Sequence, residues 1–204
     1  HPFLMAQQAL TANAAAGGRL NLGIGPSHRA SMERLGFDYD RAGLHTREYA
    51  TVLKALFESG TARFEGDFFN VDTSLQLPWG KPPPLLIAAL APVMLRAAGE
   101  IADGTVTFMV GPKTLRSHIL PRITAAAAAA GRPAPRIFVG LPVCVCDDQQ
   151  EGRRRAAELY ASYYQLPSYK RVLDIEGTDP GGVAVCGTEA EVEEQLKEIA
   201  AAGA

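Results

Sequence analysis

Residues 85–110 read Leu85-Leu86-Ile87-Ala88-Ala89-Leu90-Ala91-Pro92-Val93-Met94-Leu95-Arg96-Ala97-Ala98-Gly99-Glu100-Ile101-Ala102-Asp103-Gly104-Thr105-Val106-Thr107-Phe108-Met109-Val110. Leu85 to Ala89 is a short, continuous apolar run, the signature of a strand covered on both faces. Pro92 suits the first turn of a helix, and Met94, Ala97, Ala98 and Ile101 then recur on one helical face. Asp103-Gly104 turns the chain into a second apolar strand, Thr105 to Val110. Strand, helix and strand in that order are the unit of a parallel sheet.

The same alternation continues in both directions. Upstream, Pro2 to Ala16 reads as a helix stopped by Gly17-Gly18, and Leu20 to Ile24 as a short buried strand. Gly25 to Ala42 is irregular. Leu44 to Phe57 is helical, with Tyr49, Val52, Leu53 and Leu56 on one face. Thr61 to Val71 holds a small hairpin around Gly66-Asp67, and Pro78 to Pro84 is a stiff extended connector. Downstream, Pro112 to Ala130 is a helix kinked or broken at Pro121. Arg136 to Cys146 reads as a strand and Asp147 to about Tyr164 as a helix. Leu166 to Gly182 is irregular and Val183 to Cys186 extended. Thr188 caps a last helix, with Glu191 at capping-box distance.

Strands followed by helices four times over predict an α/β protein with a parallel sheet. An open doubly wound sheet and an eight-stranded barrel both fit that pattern. An intact barrel runs to about 250 residues, and this chain has 204, begins at His1-Pro2 and stops at Ala204. The expectation is a (β/α)8 TIM barrel present as one partial domain over 1–204, lacking the first strands and the last. Such an open barrel would expose two strand edges, and is expected to associate or to be insoluble.

Composition narrows the function. Apolar residues make up 47% and charged residues 21%, which excludes disordered and collagen-like chains. No run of about eighteen apolar residues marks a membrane span. The net charge of −2 offers no basic excess for a phosphate backbone, so nucleic acid is not an expected partner. Cys144, Cys146 and Cys186 read as small buried hydrophobes in a reducing cytoplasm rather than as zinc ligands.

In a barrel the chemistry sits at the carboxyl ends of the strands. Three segments fall there. Gly23-Ile24-Gly25-Pro26-Ser27-His28 offers close backbone approach and a hydroxyl, although the same pattern serves as a plain tight turn. Ala88 to Met94 presents free N–H groups at a helix start, a ready anion site, although ordinary strand–helix packing looks alike. Thr107 to Gly111 is an apolar wall. His28 is the histidine inside a candidate loop and a proton-transfer candidate; His45 and His118 fall at a helix start and within a helix. No paired carboxylate, nucleophile triad or metal-ligand cluster stands out. That scarcity suits chemistry carried by a cofactor.

These segments carry a family resemblance. The chain resembles the luciferase-like monooxygenases of the bacterial luciferase superfamily, and within it the branch using the deazaflavin coenzyme F420. The matching elements, in order, are His1-Pro2; Gly18 to Gly25; Arg47-Glu48-Tyr49; Phe64 to Phe69; Ala88 to Met94; Ala98 to Gly104; and Cys186 to Val192. The resemblance implies a TIM barrel with an insertion after its fourth strand, entered at the end of the third strand and left before the eighth. It implies that Gly25, Pro26, Ser27 and the turn at Ala91 and Pro92 hold the cofactor's phosphate-bearing side chain, with Met94 on the same first turn. Many members carry Gly where this chain has Ala91, whose methyl narrows the approach. Some sugar-phosphate dehydrogenases carry an acidic residue where His28 falls, which marks His28 as catalytic. The implied activity is hydride transfer between F420 and a small organic substrate, in a cytoplasmic homodimer. Two alternatives stand beside it: an FMN-dependent monooxygenase, and a non-catalytic module binding a phosphate-bearing ligand.

Overall fold

The computed structural model describes residues 1–76 and 81–204. Helix α1 (Pro2–Ala15) leads into β1 (Leu22–Ile24), a short α2 (Arg29–Arg34) and a long α3 (Ala42–Ser59). A hairpin follows, β2 (Thr61–Glu65) and β3 (Asn70–Ser74). The strand–helix–strand unit then appears as β4 (Leu85–Ala88), α4 (Pro92–Ile101) and β5 (Gly104–Phe108). Next come α5 (Pro112–Thr114), a π-helical turn (Leu115–Ile119) and α6 (Leu120–Ala129). The chain finishes with β6 (Arg136–Gly140), β7 (Val143–Val145), α7 (Gln149–Leu159), a 3-10 turn (Ala161–Gln165), α8 (Pro167–Glu176), β8 (Val185–Gly187) and α9 (Glu189–Ala201).

The main sheet has four strands in the order β1-β4-β5-β6, and every pair in it is parallel. Gly23 lies opposite Leu86, Ile87 opposite Thr105, and Val106 opposite Phe138. The α/β reading and the parallel sheet therefore hold. Among the described residues these strands form an open sheet with β1 and β6 at its edges. Leu85 and Ile87 are fully buried in a core shared with Leu53, Leu56 and Phe57 of α3 and with Leu95 of α4. Helices α4 and α6 meet closely, because a Cβ on Gly99 would stand 2.5 Å from the Ile123 carbonyl oxygen.

Several boundaries depart from the sequence reading. The single strand read over 136–146 is two. Pro142 has no N–H to give, and its carbonyl instead accepts from Val185 N at 2.9 Å, so the chain leaves β5 and pairs with β8. Both segments read as irregular, 25–42 and 166–182, hold helices α2 and α8. The predicted helical break at Pro121 is present as the π turn just before it. The buried face of α4 is Leu95, Ala97, Ala98 and Gly99, with Met94 and Ile101 only half-buried. The capping box of Thr188 and Glu191 is formed. The expected connector at 78–84 lies in part outside the described residues. No helix among them is long and apolar enough to cross a membrane.

Candidate active site

A cleft of about 810 Å³ opens at the carboxyl ends of β1, β4 and β5. Parallel strands leave their last residues and the following loops at one end of the sheet, so three sequence-distant loops face one another there. The Gly25–His28 loop forms one wall, Ala88 to Ala91 with Met94 a second, and Thr107-Phe108 a third. Residues Leu166 to Tyr169 and Arg171 close the outer side.

Gly25 is required by close packing: a Cβ there would lie 2.8 Å from the Ala88 methyl on the neighbouring strand. Ser27 holds a left-handed backbone, φ +61°, which a non-glycine residue adopts only when its surroundings enforce it. The enforcing contact is the Tyr39 hydroxyl, which donates to the Ser27 carbonyl at 2.8 Å. Burial pushes the Tyr39 phenol pKa up, while the nearby Arg29 guanidinium pulls it down. Arg29 lies 5.3 Å from the Tyr39 ring centroid and is paired with Asp40 and Glu33. His28 sits at the start of α2 without a capping bond, its ring edge-on to Tyr163 and tilted against Tyr169.

Across the cleft, Ala91 is the N-cap of α4 in an extended conformation, φ −81° and ψ 149°, with no side-chain cap. The N–H groups of Ala91, Val93 and Met94 have no partner among the described residues. Those orphan donors, reinforced by the helix dipole, favour an anion. Pro92, read as a cofactor-binding residue, lies on this turn but is exposed and outside the cleft lining. Met94 lines the cleft and meets α3, where a Cβ on Gly43 would lie 3.6 Å from its sulfur.

The outer wall was not anticipated. Pro167 opens α8 and Gly177, at φ +86°, closes it. Glu176 accepts from the N–H groups of Lys113 and Thr114, and the Thr114 hydroxyl donates to the Val172 carbonyl, which pins α8 to α5. That fixes Tyr169 and Arg171 at the cleft. Tyr169, Tyr163 and Phe108 form an edge-to-face cluster with centroids 4.9 to 6.2 Å apart. Burial raises the Tyr169 phenol pKa. Arg171 is exposed and has no ion-pair partner among the described residues. The lining residues include Arg29 and Arg171 and no carboxylate.

Other sequence candidates lie elsewhere. His45 packs on Phe68 and Phe69, away from the cleft. Cys186 is buried, Cys146 half-buried, and Cys144 exposed rather than buried as read, because β7 is exposed at all three of its residues. Among the described residues no group of three or more His, Cys, Asp or Glu side chains is placed to hold a metal.

A parallel α/β sheet with a cleft at the carboxyl ends of its strands is the architecture in which loops carried by a rigid sheet commonly form ligand sites. The comparison with known families narrows this. The profile of the luciferase-like monooxygenases matches residues 1–204, and the chain belongs to that family. It is 28% identical over 197 residues to a 5,10-methylenetetrahydromethanopterin reductase of Methanopyrus kandleri, covering 88% of this chain and 56% of the relative. Its fold is similar to the coenzyme F420 dependent tetrahydromethanopterin reductase of Methanopyrus kandleri (TM-score 0.78, 21% identity, all of this chain and 71% of that one). It is also similar to the oxygenating constituent of 3,6-diketocamphane monooxygenase of Pseudomonas putida, solved with FMN (TM-score 0.71, 20% identity, all of this chain and 66% of that one). The chain spans about half the length of the curated relatives it matches.

Proposed function

We propose that the cleft binds coenzyme F420 and that the protein transfers a hydride between it and a small organic substrate. The observation that carries this reading is the meeting, across one carboxylate-free cleft, of the Gly25–His28 loop with the unpartnered N–H groups at the start of α4. When bound, F420 supplies a two-electron hydride carrier. The residues present fit such a group. The N–H groups of Ala91, Val93 and Met94, with the Ser27 hydroxyl, would hold its phosphate. Gly25 and Ala88 keep the floor flat. The Ala91 methyl narrows this approach without blocking the amides, since its backbone is ordinary extended chain. Arg171 supplies charge at the outer end.

The remaining walls orient and exclude water. Phe108, Tyr169 and Met94 give the flat apolar surface that a conjugated ring requires. His28, at the polar rim, would hold or release the proton that accompanies hydride transfer. The similarity in fold to a coenzyme F420 dependent tetrahydromethanopterin reductase, beside relatives that are 5,10-methylenetetrahydromethanopterin reductases, supports the F420 branch. The neighbour solved with FMN supports the monooxygenase reading, since the same phosphate cradle would serve both.

Turnover separates catalysis from binding alone. Reduced F420 mixed with the protein and a panel of small carbonyl compounds should reoxidise in step with carbonyl loss. His28→Ala should lower kcat by about 100-fold while leaving the cofactor's Kd unchanged. Cofactor bound but never turned over would leave a binding module.

A further inference from the structure

His118 lies on the π turn between α5 and α6, far in sequence from either cleft loop, and is 4% exposed. Its Nε2 is 2.8 Å from the Leu90 carbonyl oxygen. A carbonyl only accepts, so Nε2 carries the hydrogen. Leu90 C=O and Ala91 N–H belong to one planar peptide group and point in opposite directions. Drawing the carbonyl back toward α6 therefore turns the Ala91 N–H the other way, toward the cleft that Leu90 and Ala91 line. Pro121 accounts for the placement. It lacks an N–H and its ring crowds the carbonyl four residues earlier, and the helix answers by widening just before it. The widened turn carries His118 inward.

We infer that His118 is a positioning residue that aims the N–H groups at the start of α4 at a ligand phosphate. This rests on the proposed reading of the cleft as a site for a phosphate-bearing cofactor. Burial lowers the pKa of the ring, against the opposing pull of the Leu90 carbonyl, so it is neutral at pH 7 and acts through its hydrogen bond rather than its charge.

The test compares FMN with riboflavin, which differ only by phosphate, and F420 with its deazaflavin chromophore, which lacks the whole phosphate-linked side chain, titrated by fluorescence. The wild type should bind the phosphate-bearing member at least tenfold more tightly. Glutamine places an amide N–H close to the position of imidazole Nε2, whereas asparagine falls short. His118→Gln should keep the preference within about threefold, and His118→Asn should reduce it about tenfold with riboflavin affinity unchanged. If His118→Asn fails to fold, His118→Leu, suited to a buried site, replaces it with the same expectation. A wild type without phosphate preference would overturn the reading of the cleft itself. A wild-type preference that survives in His118→Asn or His118→Leu would overturn the role of His118 alone. So would failure of both to fold while His118→Gln folds, which would assign the residue to stability.

Discussion

Glu48 is 6% exposed on α3, and its carboxylate accepts the backbone N–H groups of Asp67, Phe68 and Phe69 at 2.8 to 3.2 Å. One buried anion thus ties Arg47-Glu48-Tyr49 to the turn of the β2–β3 hairpin. These segments were legible in the sequence only as two separate matches to a family; their link is a contact that no spacing reveals. Glu48→Ala strands the three donors and should cost about 3 kcal/mol in urea denaturation; a loss below about 0.5 kcal/mol would contradict the account. Gly25 is a second such case. The sequence shows a glycine after a buried strand, and the structure adds the Ala88 methyl that forbids a side chain. Gly25→Val should lower stability by about 1–3 kcal/mol through overpacking, seen as a lower Tm. At Ala91 the prediction runs the other way. Ala91→Gly removes the methyl beside the orphan amides and should tighten binding of a phosphate-bearing cofactor severalfold by fluorescence titration; unchanged affinity would place the phosphate elsewhere.

The elements were most legible where pattern and chemistry agree. Residues 85–110 read directly as β4, α4 and β5, and the loop at Gly25 to His28 followed from a glycine-rich stretch after β1. Helix α8 was not read, because Ser168, Asp174, Gly177 and Asp179 look like turn residues when counted together. The signals present were Pro167 at the first position and Gly177 just past the last, the arrangement that starts and stops a helix. With α8 unread, Tyr169 and Arg171 could not be placed at the cleft. Pro121 announced an interruption, but periodicity does not show that a π turn would bury His118. Burial lowers the pKa of His118 and of His45 below the ordinary value of about 6.5. The unfolded chain then binds more protons than the folded one between the depressed values and 6.5. Their contribution to stability is intact above that window and is lost as pH falls through it. Tm should drop as pH falls below about 6.5, and His118→Gln should flatten the drop. Parallel curves for wild type and variant would contradict a buried neutral histidine.

At the scale of the molecule, a four-stranded parallel sheet presents loops from distant parts of the chain at one end, and these loops build the cleft. Neither edge of that sheet, β1 or β6, is paired on its outer side among the described residues. Unpaired edges favour association, so sedimentation should show self-association that grows with concentration; a monomer at all concentrations would show the edges to be protected. The central claim concerns what the cleft holds. Its most direct test is a fluorescence titration of F420 and of FMN against the protein, with Ser27→Ala and Arg171→Ala alongside. The account predicts tight F420 binding, FMN at least tenfold weaker, and a loss of about tenfold in F420 affinity on removing Arg171, with a smaller loss on removing the Ser27 hydroxyl. A preference for FMN, or F420 affinity indifferent to both substitutions, would contradict it.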